Sequence, residues 1–242
     1  MARRGIMVVI DGIDGSGKGT FVQVLADWAK RKHYKIFDVV AYEKKNYTLP
    51  QPSELKGYQV LITAEPTHSL IGKAIREEIA RSNERMYTAR ATAEAYALDR
   101  YILLQRVIIP ALAAGKYIFQ ERSLTTSLAY QPIQAEPLSV KDIIGLAGNQ
   151  LALKHRPDLL CILKTDVAAV MQRLRTRKKK DRAIFERKSF LEKAQRRFTA
   201  SWFREMYQKR GAQVVTLDTT GGLIETKKKM QEVWEGYLKK AL

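Results

Sequence analysis

The chain has 242 residues, 45% of them hydrophobic and 9% aromatic, a composition that excludes a disordered scaffold and suffices for a buried core without disulfide staples. Lysine and arginine number 43 against 25 acidic residues, a net charge of +18, which favours anionic partners such as nucleotides, nucleic acid or a membrane surface without choosing among them. A single cysteine, Cys161 in the apolar run LLCIL, excludes a disulfide framework and predicts a buried thiol in a reducing compartment.

No apolar run approaches the roughly 18 to 20 residues of a membrane span, and MARRGIMVVIDG leads straight into a strand-like segment. A soluble cytoplasmic protein is expected. In chain order, strands are predicted at Ile6 to Ile10, Ile36 to Ala41, Val60 to Thr63, Tyr117 to Phe119, Leu159 to Leu163 and Val214 to Leu217. Helices are predicted at Thr20 to Arg31, Ala89 to Ala114, Val167 to Arg175, Ser189 to Arg210 and Glu225 to Lys240. This alternation predicts an α/β fold with a parallel sheet flanked by helices, in one domain over 1–242.

Two segments interrupt the pattern. Residues 42–59, YEKKNYTLPQPSELKGYQ, carry two prolines and a glycine and read as a surface insertion without chemistry. Arg173 to Arg182, RLRTRKKKDR, holds seven basic residues against one acid, and charges so crowded repel unless an anion visits or the segment moves.

Gly12 to Thr20 read GIDGSGKGT, directly after the strand IMVVID and before a helix-forming stretch, which is the context of a phosphate-binding loop (P-loop). Gly12, Gly15 and Gly17 permit a tight turn whose N–H groups face phosphate oxygens, joined by those of Ser16 and Gly19. Lys18 reaches the β- and γ-phosphates, and the helix N-terminus adds positive potential. The serine or threonine that usually follows the lysine to meet Mg²⁺ is displaced by one residue, to Thr20. ATP and Mg²⁺ are the expected cofactors.

GKGT resembles the loop of nucleoside monophosphate kinases. The ordered segments AEPT (Ala64 to Thr67), IREEI (Ile75 to Ile79), EAYALDR (Glu94 to Arg100), ERSLTTSLAYQ (Glu121 to Gln131), RPDLLCIL (Arg156 to Leu163) and DRAIFE (Asp181 to Glu186) turn that resemblance towards thymidylate kinases. It implies a P-loop fold with a five-stranded parallel sheet, a mobile basic lid over 173–188, phosphorylation of dTMP to dTDP by ATP, and often a homodimer.

It also implies residue roles. Arg76 and Arg122 fall where the dTMP phosphate is held, which suits the forked donors of arginine. Tyr96 stands where a phenylalanine stacks on thymine, and Arg100, one helical turn on, where an arginine contacts the base. Ser127 and Gln131 fall in the segment that reads thymine's polar edge, and Asp14 where a carboxylate meets the sugar 3′-hydroxyl. Glu65 and Glu121 orient the acceptor phosphate, Mg²⁺ or its waters. Some thymidylate kinases carry a catalytic arginine in the loop, but the matching place here is Gly15, so Arg173, Arg177 and Arg182 of the lid are the catalytic candidates beside Lys18 and Arg122.

Two other functions compete. Glu121-Arg122-Ser123 also resembles a deoxynucleoside kinase segment, in which Glu65 would serve as base for a sugar hydroxyl; Arg76 and the SLAYQ segment favour the monophosphate, an acceptor that needs cationic clamps and no strong base. The charge of +18, with Lys227, Lys228, Lys229, Lys239 and Lys240 near the C-terminus, raises an ATP-switched nucleic-acid-binding protein. No aromatic-rich RNA platform or zinc spacing accompanies it, so nucleic acid is not the expected partner.

Overall fold

The structure, a computed structural model, describes residues 4–80, 87–134, 136–176 and 188–241. Strands β1 (Met7–Gly12), β2 (Ile36–Asp38), β3 (Val60–Ala64), β4 (Tyr117–Glu121), β5 (Leu159–Lys164) and β6 (Gln213–Asp218) form one parallel sheet in the order β2-β3-β4-β1-β5-β6. All six strand-like runs of the sequence pair, so the sheet has one strand more than the five implied by the resemblance. The four strands β3, β4, β1 and β5 are inner, and β1 is buried along its whole length, which explains why such runs read as continuously apolar.

The helices are α1 (Lys18–Arg31), α2 (Val39–Asn46), α3 (Leu70–Ala74), α4 (Ala89–Leu103), α5 (Ile109–Ala113), α6 (Leu124–Tyr130), α7 (Val140–Gly145), α8 (Ala147–Lys154), α9 (Val167–Thr176), α10 (Lys188–Phe198), α11 (Ser201–Gln208) and α12 (Leu223–Ala241). On one face of the sheet, α1 and α12 bring Trp28 and Trp234 edge to face, with ring centroids 5.0 Å apart, in a cluster with Phe21, Phe119 and Tyr237. The other face is covered by a second cluster that includes Leu103, Val107, Leu128, Phe198 and Phe203.

Several boundaries differ from the sequence reading, each for a local reason. The run read as strand to Ala41 leaves the sheet at Asp38, whose carboxylate accepts from the Ala41 amide at 2.9 Å and caps α2. That cap outweighs the β preference of Val39 and Val40. The insertion is not wholly superficial, because Leu49 and Leu55 join the core and Glu43 is buried.

The helix expected at Ala89 to Ala114 is continuous, but it widens into a π-turn at Leu104–Ile108 just before Pro110, which has no N–H to give the preceding turn. The helix expected at Ser189 to Arg210 is divided. Ala200 is extended, and the Thr199 hydroxyl donates back to the Gln195 carbonyl at 2.9 Å.

Candidate active site

The P-loop joins β1 to α1. Gly15 (φ 77°) and Gly17 (φ 98°) take left-handed conformations, and Lys18 opens the helix. A Cβ at Gly15 would lie 3.1 Å from Val170 and 3.4 Å from Leu174, so α9 packs directly on the loop. Lys18 is buried and donates to the carbonyls of Gly12 (3.1 Å) and Ile13 (2.9 Å). Burial, followed by Arg122, pulls its pKa down against the attraction of Asp14, Glu121 and Asp11. Ser16 Oγ is buried with no hydrogen-bond partner among the described residues.

Parallel pairing sets Ala64 and Ile10 both opposite Glu121. The segments that follow β3, β4 and β1 therefore share one edge, the C-terminal edge where ligands enter open α/β sheets. Arg122 donates to Asp14 of the P-loop, and the Tyr130 hydroxyl donates to the same carboxylate at 3.3 Å. Burial pushes the Asp14 carboxyl up, but Arg122 and Lys18 outweigh it and hold it below its ordinary range. Burial would likewise depress Arg122, yet Asp14, Tyr130, Asp11 and Glu121 carry it well above the usual guanidinium value. Glu121 reaches to 3.6 Å from where a Cβ of Gly19 would be.

Arg76, in the π-turn Ile75–Ile79 after α3, donates from Nε to the carbonyls of Pro66 and Thr67, both at 2.9 Å. Burial lowers its pKa and the charge of Arg122 lowers it further. Tyr96 is half-buried within electrostatic reach of both arginines; burial raises its hydroxyl pKa while Arg122 and Arg76 oppose the rise. The expected phosphate and base residues are thus gathered in one place.

Behind them lies a polar network. Arg100, 1% exposed, donates from Nε to Glu65 at 2.8 Å, from Nη1 to Asn149 Oδ1 and from Nη2 to Ser127 Oγ at 3.2 Å. The other Glu65 oxygen accepts from Gln120 at 2.9 Å. Burial raises Glu65 to about 7 against the pull of Arg100, with Asp99 and Asp11 adding to the rise. Gln131 is 3% exposed, and its Oε1 has no partner among the described residues.

Arg173 faces the loop after β6, donating from Nη2 to the carbonyls of Thr219 (2.9 Å) and Thr220 (3.2 Å), with Nη1 3.5 Å from the Gly15 carbonyl. Arg177 and Arg182 lie outside the described residues, as does most of the expected lid.

Sequence reasoning missed four polar residues here. Asp11 is fully buried and accepts from the Gly12 amide at 2.8 Å and from the hydroxyls of Thr125 and Thr126. Asp99 takes both the Thr67 amide (2.8 Å) and its hydroxyl (2.7 Å). Asn149 orients Arg100, and Glu43 accepts from the His68 amide at 2.8 Å. Asp11 at the end of an apolar strand was the one signal available, since a carboxylate there must be partnered.

Thr20 at the start of α1 and Glu121 beside Gly19 offer hard oxygen donors suited to Mg²⁺. Among the described residues no group of three His, Cys, Asp or Glu side chains could hold a metal ion. That donor set fits an ion held through nucleotide phosphates and water rather than in a protein cage.

A parallel sheet with a P-loop after β1 and two half-buried arginines, Arg76 and Arg122, at the same C-terminal edge defines a P-loop nucleoside monophosphate kinase. Comparison with known proteins narrows the class. The thymidylate kinase family model matches residues 48–230, a span that begins after the P-loop, so the loop stands as a separate signal. The chain is 36% identical to a probable thymidylate kinase of Thermococcus gammatolerans and 34% identical to that of Pyrococcus horikoshii, each over 179 residues and 72% of both chains. It is 30% identical to the thymidylate kinase of Clavibacter sepedonicus over 197 residues, 80% of both chains.

The chain belongs to the thymidylate kinase family. The structure of thymidylate kinase from Candida albicans shares the fold, with a TM-score of 0.66 over 98% of this chain and 93% of that one at 18% identity. Among the described residues no helix is long and apolar enough to cross a membrane.

Proposed function

We propose that this protein transfers the γ-phosphoryl group of ATP to dTMP, giving ADP and dTDP for deoxynucleotide synthesis. A phosphate oxygen of dTMP attacks the γ-phosphorus, and the bond to the β,γ-bridging oxygen breaks, leaving ADP. The acceptor's second pKa is about 6, so at neutral pH it is a competent nucleophile without a strong base. The protein's task is to hold two anions in line and to offset their charge.

The observation that carries this reading is the pair Arg76 and Arg122. Both are drawn in from solvent beside Tyr96, and the charge of one depresses the pKa of the other, an arrangement that a phosphate dianion between them relieves. In this reading Tyr96 stacks on thymine, and Gln131 Oε1 accepts from the base's imide N–H. Arg100, held by Glu65 and Asn149, borders the base with Ser127, and Asp14 meets the sugar 3′-hydroxyl.

Lys18 and the loop amides hold the donor phosphates, while Arg173 brings charge from the lid side. Thr20 and Glu121 would hold Mg²⁺ through water, while Glu65, its two oxygens taken by Arg100 and Gln120, acts on the acceptor side. The ion, when bound, would offset the negative charge of the donor phosphates. A homodimer formed on α4, where Leu98 is 47% exposed, and work in the cytoplasm go with this reading.

The test incubates the protein with ATP, Mg²⁺ and, separately, dTMP, dUMP, the other monophosphates and thymidine. The expected result is dTDP from dTMP with thymidine inert. Formation of dTMP from thymidine would instead make the protein a deoxynucleoside kinase.

A further inference from the structure

The edge of the sheet opposite the P-loop carries a second concentration of positive charge. Because β1, β5 and β6 are adjacent and parallel, the segments that precede them converge at their N-terminal ends. They border an open concavity of about 530 Å³ lined by Arg4, Leu153, Lys154, His155, Arg156 and Arg210. β5 spans six residues, which at roughly 3.3 Å per residue sets this cavity about 20 Å from the P-loop edge.

Four of the six lining residues are permanent cations, and none is acidic. The nearby acid is Asp158, which is already occupied: it accepts from Arg4 at 2.8 and 2.9 Å, from Arg156 at 2.9 Å and from the Met7 amide at 2.8 Å. It fixes two of the guanidiniums and offsets one charge of the four. Arg156 is further anchored by its Nε on the Arg210 carbonyl at 2.7 Å. Lys154 and Arg210 form no ion pair among the described residues. The local potential is felt by His155, whose pKa is lowered by burial and then by Lys154 and Arg4.

Four cations round one concavity give it a positive potential that an anion entering it would offset. We propose that this cavity is a second, non-catalytic binding site for a small polyphosphate anion, of the kind carried by a nucleoside triphosphate. The volume lies in the range of small-molecule sites, roughly 300 to 1,000 Å³. The charge in excess over Asp158 matches a triphosphate chain, and anchored arginine forks are suited to its paired oxygens. The four cations cluster round a single concavity rather than lining a continuous groove of the kind that tracks a nucleic-acid backbone, which favours a compact ligand. The site is independent of the acceptor's identity at the catalytic edge.

Inorganic tripolyphosphate is the probe, titrated calorimetrically. The wild-type protein is expected to bind two equivalents, and Lys18→Ala, which disables the P-loop, to retain one. Lys154→Glu/Arg210→Glu should weaken the second equivalent at least tenfold while phosphoryl transfer to dTMP persists. Absence of binding to Lys18→Ala, or undiminished binding to the double variant, overturns the proposal.

A single-stranded oligonucleotide that binds wild type and not the double variant, with tripolyphosphate confined to the P-loop, would also overturn it and give this face to nucleic acid. Should the double variant not fold, acetylation of Lys154 in the wild-type protein decides. Tripolyphosphate is expected to protect it severalfold in mass-spectrometric readout, and unchanged labelling rejects the site.

Discussion

Arg122 leaves β4 in a left-handed backbone conformation (φ 64°), and its guanidinium donates to Asp14, 108 residues earlier in the P-loop. A non-glycine residue in that region costs on the order of 1 to 3 kcal/mol and persists only where its surroundings over-determine it. Here the Arg122 amide also donates to the Ile10 carbonyl at 2.9 Å, tying the turn to β1. The strained residue thus links the donor loop to the acceptor side.

Arg122→Ala is expected to lower kcat/KM for dTMP by about two to three orders of magnitude with nucleotide binding at the P-loop nearly intact. Steady-state kinetics together with titration of a fluorescent ATP analogue check this. Near-wild-type turnover would remove Arg122 from the phosphate clamp.

Glu43 is raised to about 7, chiefly by burial, with the His68 amide opposing and Asp99 adding to the rise. An unfolded glutamate loses its proton near 4.3. Between these values the folded state holds the extra proton, so stability falls as pH rises through that window. Glu43→Gln keeps an acceptor for the His68 amide and has no such titration. It should therefore gain on wild type by about 1 to 3 kcal/mol between pH 5 and pH 8. Urea midpoints at the two pH values measure the change, and a constant difference between the proteins contradicts it.

Gly72 is where α3 comes against the acceptor-side network. A Cβ there would lie 2.2 Å from Thr67 Oγ1 and 2.6 Å from Asp99 Oδ1. Gly72→Ala must part the Thr67–Asp99 pair that steadies the segment on which Arg76 is anchored. The expected outcome is a loss of about 1 to 3 kcal/mol in stability and a higher KM for dTMP than for ATP relative to wild type. Equal changes in both KM values would argue against a local effect.

Trp234 is fully buried against Trp28 and stacked on Tyr237, with ring centroids 5.8 Å apart. Trp234→Ala should cost about 3 to 5 kcal/mol, with the affinity of the folded fraction for dTMP unchanged, since α12 and α1 pack on the other side of the sheet from α4. Denaturant unfolding monitored beside substrate titration checks both parts.

The sequence by itself determined what is local. The P-loop was legible because its turn, its lysine and the start of its helix lie within nine consecutive residues, Gly12 to Thr20, and glycine backbone freedom sets their geometry. The parallel sheet was legible because buried strands need unbroken apolar runs. The Asp38 cap is local too, and in the structure it overrides the strand preference of Val39 and Val40.

Tertiary structure alone decided the pairings across the sheet edge: Arg122 with Asp14, Arg100 with Glu65 and Asn149, and Glu43 with the His68 amide. Each joins residues at least 25 positions apart, and their meeting depends on strand order and on β4 lying beside β1. The basic cavity on the opposite edge arises in the same way. Its cations are scattered from Arg4 to Arg210, and only the adjacency of β1, β5 and β6 makes a net charge of +18 into a place.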